Sequence, residues 1–130
     1  MPFTHDESRY PILVTVWVGE SELADVHAYH AWLDVQAKRA RAAGLRLALI
    51  SDASKVTRTR PDVRREFASL RAPIDGIIAG TWVVTTSMAM RGVMAAVGWL
   101  NPKMAGIRVS PTMTAAVQEA TAVLQQPTGH

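Results

Sequence analysis

The stretch Ile12-Leu13-Val14-Thr15-Val16-Trp17-Val18, closed by Gly19, is the most informative segment of the chain. It is almost continuously apolar and rich in β-branched residues, which favours a strand buried on both faces. Strands of this kind occur mainly in parallel sheets, because helices then cover both faces of the sheet. The segment therefore predicts an α/β fold.

A helix is predicted directly after this strand. Ser21 offers a side-chain oxygen to the first free amides, and Glu22 and Asp25 place negative charge at the helix N-terminus. The helix is expected to end near Ala43, because Gly44 supplies the left-handed stop. Strand character resumes over residues 45–50.

The remaining chain continues this alternation of strands and helices. After a polar connection over residues 55–60, Pro61 is expected as the first residue of a second helix. The apolar stripe of that helix is Val63, Phe67 and Leu70. The elements predicted beyond it are a strand over residues 77–84, a helix over 88–100 capped by Ser87, a strand over 107–109, and a helix opened by Pro111 and Thr112 that runs through Leu124.

Such alternation predicts the fold class. Parallel neighbours need crossover connections, and the helices supply them. We expect a single α/β domain over residues 12–126, with a mostly parallel four-stranded core sheet and four helices. Residues 1–11 are expected to form a tail or a short edge strand, and residues 127–130 a C-terminal tail.

Composition excludes several classes of chemistry. The 130 residues include no Cys, which excludes disulfides, thiolate nucleophiles and Cys-ligated metal sites. The 14 basic and 11 acidic side chains give a net charge of +3, which is modest beside dedicated DNA-binding domains. The polar N-terminus indicates no signal peptide, so a cytoplasmic location is expected. Residues 76–100 are long enough for a membrane span and carry only one charge, Arg91, but the polar triplet Thr85-Thr86-Ser87 divides them into a strand-like and a helix-like part.

Four stretches carry a resemblance to a known superfamily. They are Arg9-Tyr10-Pro11 before the first strand, Leu47 to Ala53 at the end of the second, Val83-Val84 before a Met/Ala-rich helix, and Val97 to Pro102. In their order they resemble the STAS and anti-sigma-factor-antagonist superfamily, in particular its small SpoIIAA-like bacterial members. The resemblance implies a non-enzymatic protein-interaction module with a regulatory role.

One hallmark of the superfamily is missing. In classical members a partner kinase phosphorylates a serine in an Asp-Ser-Ser-Gly stretch at the start of the second helix, and this switches partner binding. The corresponding residues 55–62 are Lys-Val-Thr-Arg-Thr-Arg-Pro-Asp, so the phosphoswitch is not carried over. Thr57 and Thr59 are acceptors by position only, since a Thr near a Pro is commonly a turn or cap residue.

No combination of residues indicates an enzyme. The strand-to-helix turns lack phosphate-binding glycine motifs. His27, His30 and Asp34 could approach one metal ion, but His30 falls on the core-facing stripe, where Asp34 would orient the imidazole. Ser51, Asp52 and His30 could form a triad, but the nucleophile-elbow pattern is missing. We expect no catalytic residue, no metal and no cofactor.

An alternative function is binding of a small ligand or anion. Asp52 closes the second strand, and Thr86 and Ser87 follow the third, so all three lie at the carboxyl ends of strands. Ligands of open parallel sheets prefer this edge, and a helix start offers free amides to an anion. The same residues are also ordinary turn and cap residues.

The charge distribution predicts a partner-binding patch. Between Lys55 and Arg71, six basic residues and two acidic ones give +4, more than the net charge of the chain. The patch residues are Lys55, Arg58, Arg60, Arg64 and Arg65. They would attract an acidic or phosphorylated protein partner. Nucleic acid is a weaker candidate because no exposed aromatic residue is interleaved, and a solvated helix face is the alternative.

Apolar residues outside the core stripes predict a homodimer. Trp32 and Val35 lie opposite the core face of the first helix, and Ala95 and Trp99 add apolar surface on the third. Aromatic residues are typical of interface centres, so these four are the predicted dimer contacts. Burial beneath the tails or a neighbouring helix is the competing explanation.

Overall fold

The order of strands and helices follows the predicted alternation. A computed structural model describes residues 3–68, 76–89, 91–92 and 107–126. Its elements are β1 (Phe3–Arg9), β2 (Ile12–Glu20), α1 (Leu23–Ala43), β3 (Leu47–Arg58), α2 (Pro61–Ala68), β4 (Ile78–Val84), β5 (Arg108–Ser110) and α3 (Met113–Leu124). Residues 88–89 and 91–92 are also helical, as predicted after Ser87, and the Arg91 amide donates to the Ser87 carbonyl at 3.1 Å.

The five strands form one mixed sheet in the order β1-β2-β3-β4-β5. Strands β2 to β5 are parallel, which confirms the predicted α/β class, and β1 joins β2 antiparallel. The N-terminal segment is therefore a full edge strand, the fifth of the sheet, with Phe3 opposite Trp17 and His5 opposite Thr15.

Helices α1 and α2 cover the first face of the sheet. Its core consists of large side chains from β1, β2, β3 and α1, namely Phe3, Leu13, Trp17, Tyr29, Leu33, Ala40, Leu47 and Leu49. Phe67 of α2 packs against this core, and its ring meets Trp17 edge-on at 5.3 Å. Neighbouring rings also join Phe3 to Trp17 at 5.0 Å.

Helix α3 covers the second face. Among the described residues small and branched side chains dominate there, namely Ile12, Val14, Ala48, Ile50, Val84, Ala116 and Ala120, around the ring of Trp82. Trp82 is fully buried, and its Nε1 donates to Glu119 Oε2 at 3.0 Å. A Cβ atom on Gly80 would lie 2.6 Å from Trp82 Cη2, so the absence of a side chain at residue 80 makes room for the ring.

The start of α1 corrects one prediction. The N-cap is Glu22 rather than Ser21, and a capping box forms in which the Glu22 amide donates to Asp25 Oδ2 at 2.8 Å. Because the box satisfies two end amides reciprocally, the helix begins one residue later than a Ser21 cap would give. The predicted C-terminal stop is confirmed, since Gly44 adopts φ 68°.

Strand β3 corrects a second prediction. It continues through Lys55 to Arg58, a stretch predicted as a polar connection. The pairing extends because β2 also continues, with Val18 opposite Lys55 and Glu20 opposite Arg58. The predicted start of α2 at Pro61 is confirmed, and the predicted Leu70 contact lies outside the described residues. No helix in the described ranges is long and apolar enough to cross a membrane.

Candidate functional site

The carboxyl edge of the sheet differs from the rest of the molecule because two of its strands overrun their neighbours. Strand β4 ends at Val84, which pairs with Asp52 of β3. The last six residues of β3, Ala53–Arg58, run beside β2 alone, where Lys55, Val56 and Arg58 are the paired residues and the register shifts before Lys55 and before Arg58. We call these residues the β3 extension. No strand in the described part of the chain pairs with its other side.

Basic side chains cluster on and beside the β3 extension. Lys55 and Arg58 lie on it, and Arg64 and Arg65 follow in α2. Within the described ranges none of these four forms an ion pair. They therefore carry positive charge without an ion-pair partner among the described residues, although Glu20 is the register partner of Arg58.

Arg60 behaves differently from the other predicted patch residues. Its guanidinium is held by Asp62 through two bonds, Nε to Oδ1 at 3.1 Å and Nη2 to Oδ2 at 2.7 Å. This local pair neutralises Arg60 within the patch and sits at the junction of β3 and α2. The sixth basic residue of the segment, Arg71, lies outside the described residues.

Exposed apolar side chains accompany the charge. Among the described residues five large apolar side chains are exposed, and Val18, Leu23 and Met88 are three of them. Val18 is near the end of β2, Leu23 begins α1, and Met88 follows β4, so the topology brings all three to the carboxyl edge. Met88 is 79% exposed.

The residues of the predicted anion site lie at this edge too. Asp52 Oδ1 accepts hydrogen bonds from the amide and hydroxyl of Ser54, at 3.0 and 2.6 Å. Buried Thr85 accepts from the Ser87 amide through Oγ1 at 3.0 Å, and Thr86 and Ser87 are exposed. Asp52 thus supplies acceptors already engaged by Ser54, whereas an anion needs donors.

The histidines of α1 lie in different surroundings, and His27 links α1 to α2. His27 Nε2 lies 2.8 Å from Glu66 Oε1 of α2. His30 is half-buried, and its Nε2 has no hydrogen-bond partner among the described residues. Burial lowers the pKa of His30, although the charge of Glu66 acts in the opposite direction. Asp34 pairs with Lys38 at 3.0 Å, so the predicted contact from Asp34 to His30 is wrong. The i, i+4 cation is the stronger partner for a carboxylate at a helix surface.

Metal and triad chemistry gain no support from these contacts. The described residues hold no group of three or more His, Asp or Glu side chains placed to bind a metal ion. Ser51 bonds to Tyr29 rather than to His30. Burial raises the pKa of Tyr29 to about 12, although the Ser51 bond acts in the opposite direction. Ser51 and Tyr29 thus satisfy each other inside the first-face core.

The predicted dimer contacts divide into three cases. Trp32 stacks on His5 of β1 with ring centres 3.7 Å apart, and its Nε1 points to Glu7 Oε2 at 3.5 Å, so it is partly buried beneath the N-terminal strand. Val35 is 60% exposed. Ala95 and Trp99 lie outside the described residues.

Comparison with known proteins identifies the fold. No family model matches the chain, and no curated protein matches it significantly. Among solved structures, an uncharacterised DUF3478-family protein from Shewanella loihica with a SpoIIAA-like fold matches with a TM-score of 0.63 at 11% identity, over 91% of each chain. An anti-sigma factor antagonist from Mycobacterium paratuberculosis matches with a TM-score of 0.56 at 20% identity, over 92% of this chain and 94% of that one. The chain has a SpoIIAA-like fold.

Proposed function

We propose that the protein is a cytoplasmic, non-enzymatic STAS-like interaction module with a regulatory role, whose partner surface is the carboxyl edge of the sheet. The fold supports an interaction module at a coarse level, since one structural neighbour is an anti-sigma factor antagonist. The observation that carries the proposal is that Lys55, Arg58, Arg64 and Arg65 form no ion pair with any described residue. The partner is therefore an acidic or phosphorylated protein.

The composition of this edge resembles an interface more than an active site. Interface centres combine apolar contact area with charge around the rim. Val18, Leu23 and Met88 supply the apolar part, and the four cations supply the rim. By contrast, the groups suited to catalysis are engaged elsewhere: Ser51 with Tyr29 and Asp52 with Ser54. Neither is left as a nucleophile beside a base.

Regulation must differ from the classical phosphoswitch, because the Asp-Ser-Ser-Gly stretch is missing. Thr57 is exposed on the β3 extension and Thr59 is half-buried next to it. A phosphate on either threonine would neutralise part of the neighbouring positive charge and so weaken binding of an acidic partner. Mass spectrometry of the protein from its native cell tests this part of the proposal directly.

A pull-down with charge-reversal variants tests the proposed surface. The patch bait is Arg58→Glu with Arg65→Glu, and the control is Arg9→Glu with Lys38→Glu, whose exposed pairs with Asp6 and Asp34 are of little energetic value. Each bait changes net charge from +3 by −4 to −1, so both carry the same total charge. We expect the wild type and control to retain a partner that the patch bait loses. Equal recovery on both variants would refute the surface.

Small-ligand binding near Asp52, Thr86 and Ser87 is the alternative function. A ligand that binds only the folded state raises its melting temperature. A thermal-shift panel of anions and metabolites therefore separates the two: an interaction module shows no shift with any member. A reproducible shift that Ser87→Ala removes would favour the alternative.

Self-association through α1 is a second part of the proposal, and it is supported by the exposure of Val35. A two-fold dimer would use this surface twice. Light scattering after size exclusion tests it: Val35→Glu should convert a dimer to a folded monomer. A wild type that is monomeric at high concentration would remove the dimer from the proposal.

A further inference from the structure

We infer that the open side of the β3 extension binds an extended acidic segment of a partner as an added strand. This inference rests on the proposed function and specifies how the partner is held. It assigns the main affinity to backbone hydrogen bonds along Ala53–Arg58, and the selectivity to the cations around them. Strand addition of this kind is an established mode of peptide recognition.

The geometry of β3 leaves a strand edge that no other described strand pairs with. Residues Ala48 to Asp52 pair with β2 on one side and β4 on the other, whereas beyond Asp52 only β2 is paired, through Lys55, Val56 and Arg58. In a strand, alternate residues direct their N–H and C=O groups to opposite neighbours. The four residues from Lys55 to Arg58, at about 3.3 Å each, leave an edge of about 13 Å, enough for a peptide of about four residues, with one register shift inside it at Thr57. Ser54 is an exception, since its amide already donates to Asp52.

The two outer edges of the sheet are less suited to this role. Strand β1 carries the acidic residues Asp6 and Glu7, which would repel an acidic segment. Strand β5 has only three residues. The β3 extension is longer than β5, contains no proline, and is exposed at Ser54, Lys55, Thr57 and Arg58.

The positive charge around the β3 extension determines which kind of segment binds there. Lys55 and Arg58 lie on the extension, and Arg64 and Arg65 lie on the next helix without ion-pair partners among the described residues. A second copy of the chain pairing through the same edge would bring like charges together, which is unfavourable. A segment rich in Asp and Glu would instead gain from every one of these cations.

Apolar surface next to the β3 extension sets a second requirement for the sequence of the bound segment. Ala53 and Val83 form a small buried cluster, and half-buried Val56 and Ile107 pack against it. Side chains of an added strand alternate between the two faces of the sheet, so every second residue would share the face of Val56. The matching segment therefore alternates acidic residues with Val, Ile or Thr.

Selection from a displayed library of random ten-residue peptides, with the full chain as bait, tests the inference. We expect enriched peptides to combine Asp or Glu with β-branched residues and to lack Pro. N-methylation of alternate peptide amides should weaken binding about tenfold, because each methyl removes a ladder donor. Lys55→Glu with Arg58→Glu should weaken it by a similar factor, whereas the Arg9→Glu and Lys38→Glu control should not.

Hydrogen exchange locates the bound peptide. Amides of residues 53–58 should become protected on binding. Protection at Val18, Leu23 and Met88 without protection of residues 53–58, or indifference to N-methylation, would refute strand addition while leaving the proposed surface intact. Concentration-dependent protection of residues 53–58 in the protein alone would show that a second copy is the occupant and would also refute it. If no acidic peptide is enriched and the patch bait retains every partner, both proposals fail.

Discussion

The two faces of the sheet are built on different packing principles. The first face holds interlocking rings, in which Trp17 contacts Phe3, Tyr29 and Phe67 at centroid distances of 5.0 to 5.3 Å. On the second face the described core cluster contains one ring, Trp82, among Ala, Ile and Val side chains under α3. Several aromatic side chains thus pack together on the first face, whereas the described aromatic packing of the second depends on Trp82.

This difference also explains where polar groups are tolerated. On the first face His5 Nδ1 lies 2.9 Å from buried Thr15 Oγ1, and Tyr29 bonds to Ser51. On the second face the described core cluster includes no histidine, and Glu119 Oε2 accepts from Trp82 Nε1 and Ser110 Oγ at 3.0 and 3.1 Å. The second face should thus be more sensitive to changes of volume, and the first to changes of protonation.

The largest effect is expected from Trp82→Ala. Removing a fully buried indole leaves a cavity that the small neighbours Ala48, Ala116 and Ala120 cannot fill. We expect a loss of about 3 to 5 kcal/mol in the free energy of unfolding, measured by urea denaturation. Trp32→Ala, on the first face and only partly buried, is the matched comparison and should cost less. Equal losses would show that the two faces do not differ in this way.

Gly80→Ala should destabilise the second face by overpacking. The new Cβ would lie 2.6 and 2.8 Å from Trp82 Cη2 and Cζ3, and the buried ring is held in place by Glu119. A loss of about 1 to 3 kcal/mol is expected by the same measurement. In a Trp82→Leu background the added methyl should cost much less, since the clashing ring atoms are gone. A cost that persists there would place its origin in the strand backbone.

The sequence predicted most elements of the core, because local signals determine them. The apolar run at Ile12, the left-handed stop at Gly44 and the first helical residue Pro61 are all local features, and all are confirmed. Thr112 also caps α3 as expected, accepting from the Ala115 amide at 3.1 Å. The fit of Gly80 to Trp82 escaped prediction, although both residues are in one strand, because it depends on which rotamer the surrounding core allows.

The candidate site was predicted only in part. The basic residues were visible as a charge cluster, but the neutralisation of Arg60 by Asp62 depends on how the chain turns into α2. The β3 extension was not predicted, since its polar residues are held in a strand by backbone pairing with β2 rather than by burial. Trp32 is covered for a similar reason: the polar strand β1 carries no apolar periodicity that would reveal it.

Arg46→Ala tests the attachment of α3 to the second face. Arg46 Nη2 donates to the carbonyls of Val123 and Gln126, at 3.3 and 3.2 Å, and so satisfies acceptors at the end of that helix. We expect a loss of about 1 kcal/mol and faster amide exchange in the last turn of α3. Lys38→Ala is the control, because it removes a cation of similar length from an exposed helix pair. Identical behaviour of the two variants would mean that Arg46 adds no more than a surface ion pair.

The smallest effect on stability is expected from a change of pH, and it comes from two histidines on the first face. Burial lowers the pKa of His5 and of His30 below the ordinary 6.5, while Glu7 and Glu66 act in the opposite direction. Each histidine therefore takes up a proton more readily in the unfolded chain than in the folded one. Its contribution to stability is complete above about pH 6.5 and is lost as the pH falls through the folded-state pKa. Both side chains are partly exposed, so solvent screening keeps the effect modest.

Urea denaturation of the wild type between about pH 7.5 and about pH 5 should thus show stability falling as the solution is acidified. The double variant His5→Gln with His30→Gln should flatten this dependence, whatever its stability at neutral pH, because neither position can then take up a proton. The second-face core contains no histidine, so Gly80→Ala should lower stability at every pH without changing the slope. A double variant that keeps the wild-type slope would show that the acid sensitivity comes from carboxylates instead, and that the first face is no more sensitive to protonation than the second.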